Sequence, residues 1–312
     1  MRILILGAGG TGGYFGGRLA QAGADVTFLV RPARAQQLRE RGLQIRSPLG
    51  DADIAVAFVL AEALEAEAAR RPFELVILSC KAYDLDTAID AIAPAMHAGT
   101  TLLPILNGLR HYPLLDQRFG AERVLGGLCF ISATKGDEGE VLHLAPPASV
   151  TFGERYGDAD SARTHELAKL FAQAQVDHVS SPHIALALWT KYTFLTALAA
   201  GTCLMRAPVG GIVASEGGAQ VMRALYAECL AVAEAAGETV ATAEQDRALA
   251  LLTAPGSPIK ASMLRDLEAG QRVEAGHIVG DMLHRARSAG VQAPLLGAAW
   301  CHLQAYAAAR DA

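Results

Sequence analysis

The chain has 312 residues, 52% of them hydrophobic and 19% charged, with a net charge of −5. That length suggests about two domains with cores of their own, and the acidic balance offers no broad basic surface for nucleic acid. No apolar run reads as membrane-spanning, and the chain opens straight into a strand and a glycine turn, which is not the form of a cleavable signal. Five cysteines (Cys80, Cys129, Cys203, Cys229 and Cys301) lack C-x-x-C spacing and read as reduced thiols of a cytoplasmic protein. The nine histidines include no H-x-x-x-H pair, so no metal is expected.

In chain order, residues 2–6 form an apolar, β-branched run. Gly7, Gly9 and Gly12 follow with G-x-G-x-x-G spacing, and a helical pattern begins around Tyr14. Strand, glycine turn and helix together predict a dinucleotide site over Gly7, Ala8, Gly9, Gly10, Thr11 and Gly12. Gly7 permits the tight turn, Gly9 lets a pyrophosphate approach the backbone, and Gly12 lets the helix close on the strand. The helix N-terminus then offers N–H groups and partial positive charge to the phosphates.

Residues 24–30 predict a second strand, and the residue at its end bears on the cofactor. NAD sites favour an acidic side chain there for the ribose 2′-hydroxyl. This chain has Arg31, then Pro32 and Arg34. A guanidinium suits a 2′-phosphate, so the expected cofactor is NADPH; the alternative is that Arg31 only starts a solvated helix.

A helix over 33–41 ends at Gly42, and strands over 43–47 and 53–58 flank the turn at 48–51. A helix over 60–71 leads to a buried strand at 73–80, with Lys81 at its end, where open α/β sheets bind ligands. A helix over 84–96 and a strand over 100–106 follow, ending at Asn107–Gly108, an Asn-Gly turn signal. The alternation predicts a Rossmann-type, doubly wound parallel sheet. Short β runs at 124–132, 140–145 and 149–154 are expected to extend that sheet with antiparallel edges. A helix over 160–174 and a run at 176–180 complete the domain, 1–181.

From 182 to 312 the pattern is helical: 184–200, 214–236, 241–252, 258–269, 274–289 and 295–309. An all-α second domain is expected, with a ligand cleft a common outcome of such a pairing. The alanine-rich helices leave open whether their faces are covered within one domain or in a homodimer.

The chain resembles ketopantoate reductases (2-dehydropantoate 2-reductases) over nearly its full length. The resemblance is carried by GAGGTGG at 7–13, Arg31, SCKAYDL at 79–85, LLPILNG at 102–108, WTK at 189–191 and KASMLRDLEAGQRVEAGHIVG at 260–280. It implies an N-terminal NADPH-binding Rossmann domain, a helical domain completing the substrate site, and reduction of 2-dehydropantoate to (R)-pantoate for pantothenate synthesis. Lys191 matches the catalytic lysine, and as an ammonium beside the carbonyl oxygen it would act as general acid. Glu274 matches a substrate-binding glutamate that helps hold the lysine. Ser262 matches a serine that contacts the substrate carboxylate. Asn107 matches a residue that contacts cofactor and substrate, and Lys81 is expected near the cofactor or the substrate carboxylate. The bland readings are a snorkelling lysine, a helix N-terminal glutamate, a capping serine and a turn asparagine.

Two departures stand out. Asparagines usual on the lysine helix are replaced by Leu195 and Ala199, which one turn apart are expected to face the cleft with Lys191. The Glu-Ile-Asp motif becomes Glu274-Ala275-Gly276, and His277 enters as a candidate for substrate binding or acid–base work, or as a structural histidine. The chemistry is thereby retained while the 2-oxo acid is left open: a small-molecule substrate, bulkier or more apolar than ketopantoate, fits these positions. The rivals are a paralogous NADP-dependent reductase of another 2-oxo acid or an imine, and a non-catalytic NADP(H) sensor.

Overall fold

A computed structural model describes residues 1–312, and they divide into two compact units. The first is Met1–Leu106 with His111–Ile184; the second is Ala185–Ala312 together with the short segment Asn107–Arg110. That segment interrupts the continuous first span expected above.

In the first unit, β1 (Arg2–Leu6), α1 (Gly10–Gln21), β2 (Asp25–Leu29), α2 (Pro32–Arg41), β3 (Leu43–Arg46), β4 (Ala52–Ile54), β5 (Ala57–Val59) and α3 (Ala61–Arg70) follow one another. Next come β6 (Leu75–Leu78), α4 (Leu85–Ile92), β7 (Thr101–Pro104) and α5 (His111–Phe119). β8 (Gly126–Lys135), β9 (Val141–Gly153), α6 (Ala162–Gln173) and β10 (Asp177–Ser180) complete the unit.

One sheet has the order β5-β2-β1-β6-β7 and all its pairings are parallel. The chain winds outward from β1 in both directions, so the sheet is doubly wound and Rossmann-like. Its strands are short runs of Ile, Leu and Val. Ile3, Leu4, Ile5, Leu75, Val76 and Leu78 have no exposed surface, as fits a parallel sheet covered on both faces.

Two expectations fail here. The run 53–58 is not one strand. It divides into β4, antiparallel to β3, and β5, parallel to β2 in the other sheet. Nor do the runs at 124–154 extend the parallel sheet. β8 and β9 form a long antiparallel hairpin in a second sheet, ordered β10-β9-β3-β4 with β8 on β9. One parallel bridge joins Leu102 of the first sheet to Val124, just ahead of β8. The reason lies in α1, which carries small residues on two faces. A Cβ on Gly16 would lie 2.4 Å from Ile5 Cδ1 on the first sheet, and one on Gly17 would lie 2.6 Å from Ile45 Cδ1 on the second. Both sheets therefore close on one helix, and the second cannot be a continuation of the first.

The second unit is helical: α7 (Ile184–Met205, whose first residue is assigned to the first unit), α8 (Val209–Val213), α9 (Gly218–Ala235), α10 (Thr242–Leu252), α11 (Ser262–Glu268), α12 (Asp281–Ser288) and α13 (Pro294–Asp311). The helix expected over 274–289 is not uniform, because Gly276–Gly280 forms a turn of π-helix ahead of α12. α7 corrects another expectation. Its 22 residues are long and apolar enough, by length and composition, to cross a membrane, though 61% of its most apolar window is buried within the protein.

Candidate functional site

At the end of β1, Gly7 adopts φ +85°, a left-handed conformation that favours glycine. Its N–H donates to the Leu29 carbonyl at 2.9 Å, tying the turn to the end of β2. Gly9 precedes α1, and a Cβ there would meet nothing within 4 Å. Gly12 has the opposite surroundings: a Cβ would lie 2.3 Å from Ser79 Oγ and 2.6 Å from the Gly7 carbonyl oxygen. Ser79 itself donates to the Leu6 carbonyl at 3.0 Å, so the ends of β1 and β6 are joined at the point where the winding direction reverses. Ligands of open α/β sheets bind at that place. Open backbone at Gly9, at the start of a long helix, fits a dinucleotide pyrophosphate, whereas Gly10 packs on β8, where a Cβ would lie 2.8 Å from the Ala133 carbonyl oxygen. Ala8 is buried, and Thr11 is half-buried in the first turn of α1.

Arg31 stands at the N-cap of α2 with Pro32 in the first turn. Its side chain is 81% exposed, and Nη2 lies 3.2 Å from Asp84 Oδ2. Arg34, one turn on, donates from Nε to the Ala8 carbonyl at 3.1 Å. Burial lowers the Arg34 pKa, and the neighbouring Glu140 carboxylate opposes that shift. Arg34 and Asp84 are additions of the tertiary structure to the expected site residues; the i,i+3 spacing from Arg31 is the one local signal for the first, and nothing local marks the second. Lys81 is half-buried just after β6, and its carbonyl accepts from the Asp84 N–H at 2.9 Å.

In the helical unit the distant candidates meet. Lys191, on the apolar helix α7, donates from Nζ to Asn107 Oδ1 at 3.0 Å. The His277 ring is hydrogen-bonded to the Asn107 backbone, and burial pushes its pKa down to about 4. A ring with that pKa is neutral near pH 7 and holds no spare proton to deliver. Glu274 is buried, and its backbone carbonyl accepts from the His277 and Ile278 N–H groups, each at 3.1 Å. Tyr192, the residue after Lys191, donates its hydroxyl to the Ile278 carbonyl at 2.9 Å and lies 3.0 Å from Asp281 Oδ2. Arg285 Nε also donates to Asp281 Oδ2, at 2.8 Å.

Ser262 is the first residue of α11 and is half-buried. Leu195 is half-buried, and Ala199, one turn further along α7, is fully buried. Tyr192 and Asp281 are not legible in the sequence, since their pairing spans 89 residues and no local pattern announces it.

Residues 3–157 match the family Ketopantoate reductase PanE/ApbA, and residues 183–307 match Ketopantoate reductase PanE/ApbA C terminal. The chain belongs to the ketopantoate reductase family. It is similar to the uncharacterized oxidoreductase YkpB of Bacillus subtilis (strain 168), 36% identical over 308 residues, with 99% of each chain covered. The crystal structure of 2-dehydropantoate 2-reductase from Geobacter metallireducens GS-15 superposes with a TM-score of 0.87 at 30% identity, covering 97% of this chain and 99% of that one. A ternary structure of D-mandelate dehydrogenase with NADH and anilino(oxo)acetate has a TM-score of 0.88 at 20% identity, with all of both chains covered. At that identity the likeness is one of fold. Membership of the ketopantoate reductase family makes this chain an oxidoreductase. A 2-dehydropantoate 2-reductase and a D-mandelate dehydrogenase share the fold, so the fold by itself selects no substrate.

Proposed function

We propose that this chain reduces the ketone of a 2-oxo acid with NADPH, with Lys191 as the general acid. The observation that carries the reading is the Lys191–Asn107 pair. A lysine on a helix this apolar needs a polar reason to be there, and its ammonium is held at 3.0 Å by a side-chain carbonyl. Residues 1–181 hold the nucleotide, with Gly7 to Gly12 at the pyrophosphate and Arg31 at the 2′-phosphate. Residues 182–312 carry the substrate-side groups. NADPH, when bound, supplies the hydride. Lys191 stabilises the growing charge on the carbonyl oxygen and gives it a proton. Asn107 holds the ammonium, and buried Glu274 keeps a carboxylate in the same unit for substrate hydroxyl binding. Ser262 and Lys81 would bind the substrate carboxylate, Lys81 also the cofactor.

The first substrate to test is 2-dehydropantoate, giving (R)-pantoate in a cytoplasmic pantothenate pathway. Leu195 and the neighbouring apolar surface of α7 support a second reading, a paralogous reductase of a more apolar 2-oxo acid. NADPH oxidation with 2-dehydropantoate and a panel of branched and aromatic 2-oxo acids tests both. Fast turnover of 2-dehydropantoate supports the first, and preference for an apolar member supports the second. Tight NADPH binding with no turnover of any acid would leave an NADP(H) sensor instead.

A further inference from the structure

We infer that His277 is a positioning residue: through its hydrogen bond to the Asn107 backbone it keeps the Asn107 amide against the Lys191 ammonium. The inference rests on the reading of Lys191 as general acid. It is drawn from a closed ring of contacts within the helical unit. Lys191 Nζ reaches Asn107 Oδ1 at 3.0 Å. The Asn107 backbone is bonded to the His277 ring. Ile278, the next residue, accepts through its carbonyl from Tyr192 Oη at 2.9 Å, and Tyr192 follows Lys191 on α7. Three hydrogen bonds and two steps between chain neighbours close the ring on the residue where it began.

Close packing of Gly108 on His277 accompanies that bond. Gly108 has φ +78°, and a Cβ there would lie 2.9 Å from the His277 carbonyl oxygen and 3.0 Å from His277 Cδ2. The turn backbone therefore lies directly on the imidazole, with no room for a side chain. Arg110 Nη1 reaches the Gly276 carbonyl at 3.4 Å from the other side.

His277 lies in the π-helical turn Gly276–Gly280, a feature that recurs at functional sites, and the His277 and Ile278 N–H groups both donate to the Glu274 carbonyl at its start. Gly280, at the end of the turn, packs closely on Trp300: a Cβ there would lie 3.0 Å from Trp300 Cζ3. Burial keeps His277 uncharged, so it can donate one N–H to a carbonyl without placing a second cation beside Lys191. The bond favours the protonated nitrogen, as expected when the ring donates to a backbone carbonyl.

His277→Phe, His277→Gln and Lys191→Met separate the possibilities. They are assayed with NADPH and whichever 2-oxo acid is turned over fastest. His277→Phe keeps a ring and loses the donor. It is expected to lower kcat tenfold or more and to shift the pH profile of kcat, with the Kd for NADPH unchanged. His277→Gln, which restores a donor, is expected to recover most of the loss. Wild-type kcat and pH profile in His277→Phe overturn the inference, as does equal impairment of His277→Gln. Lys191→Met sets the reference: if it turns over normally, the reading of Lys191 fails. Its inactivity beside a normal His277→Phe sinks the His277 inference alone. A measurement on the unmodified protein stands apart from activity and from the folding of any variant. Nitrogen-15 NMR of the histidine rings is expected to show His277 neutral and in one tautomer at pH 6; an averaged pair of tautomers overturns the bond.

Discussion

Lys191 Nζ donates to Asn107 Oδ1 at 3.0 Å across 84 residues of sequence. An ammonium on an apolar helix is costly to bury unless it is bonded, and the asparagine that bonds it comes from a four-residue segment inserted into the helical unit from the other half of the chain. The charge is thereby kept at one position on α7.

Removing that ammonium tests the chemistry. Lys191→Ala is expected to lower kcat about 10²- to 10⁴-fold, the usual contribution of a positioned acid. NADPH affinity, followed by fluorescence titration, should stay at the wild-type value. Turnover at the wild-type rate would remove Lys191 from the mechanism.

Arg31 is largely exposed and bonded to Asp84, so its substitution is expected to leave the fold intact. Arg31→Asp should weaken NADPH binding by roughly ten- to a hundredfold, the loss of a charged hydrogen bond worth about 1.5–3 kcal/mol. NADH should be nearly unaffected. Equal weakening of both nucleotides would refute a 2′-phosphate role.

The glycine turn can be dissected by two substitutions. Gly12→Ala meets Ser79 Oγ and the Gly7 carbonyl and is expected to destabilise the protein by about 1–3 kcal/mol through overpacking. Gly9→Ala enters open space, so its thermal midpoint should match wild type while NADPH affinity falls. Calorimetry and titration on the pair distinguish packing from ligand approach; full NADPH affinity in Gly9→Ala would argue against a pyrophosphate there.

Tyr192→Phe leaves the Ile278 carbonyl and an Asp281 oxygen with one donor fewer. Loss of about 1–3 kcal/mol is expected, read as a lower midpoint in urea with an unchanged slope. A midpoint equal to wild type would mean water replaces the hydroxyl.

His277 also sets a pH dependence of stability. Its folded pKa, about 4, lies below the ordinary 6.5 because burial disfavours the charged ring, with Arg110 and Arg285 adding to that effect and Asp281 opposing it. The unfolded chain therefore binds the extra proton between those values. The contribution is complete above about pH 6.5 and is lost as the pH falls toward 4, on the order of 3 kcal/mol in all. Urea titrations from pH 7.5 to 4.5 on wild type and His277→Gln should differ in slope over that window. Parallel curves would show that His277 protonates as freely in the folded state as in the unfolded one.

Local chemistry made much of this readable in advance. The glycine turn after β1, the alternation of strands and helices to residue 104 and the helical second half are set by spacing and apolar periodicity within a few turns of chain, and such patterns survive folding because each element buries its own apolar face. Candidate residues were legible one at a time for the same reason. The assembly among them was not. Hydrogen-bond partners dozens of residues apart carry no periodicity, so nothing local places Asn107 against Lys191, Tyr192 against Asp281 or Arg31 against Asp84. The run 53–58 split between two sheets because α1 has small residues on two faces and both sheets had to close on it. The fate of His277 shows the division most plainly: as a residue type it is an acid–base group, and burial against the Asn107 backbone turns it into a neutral donor.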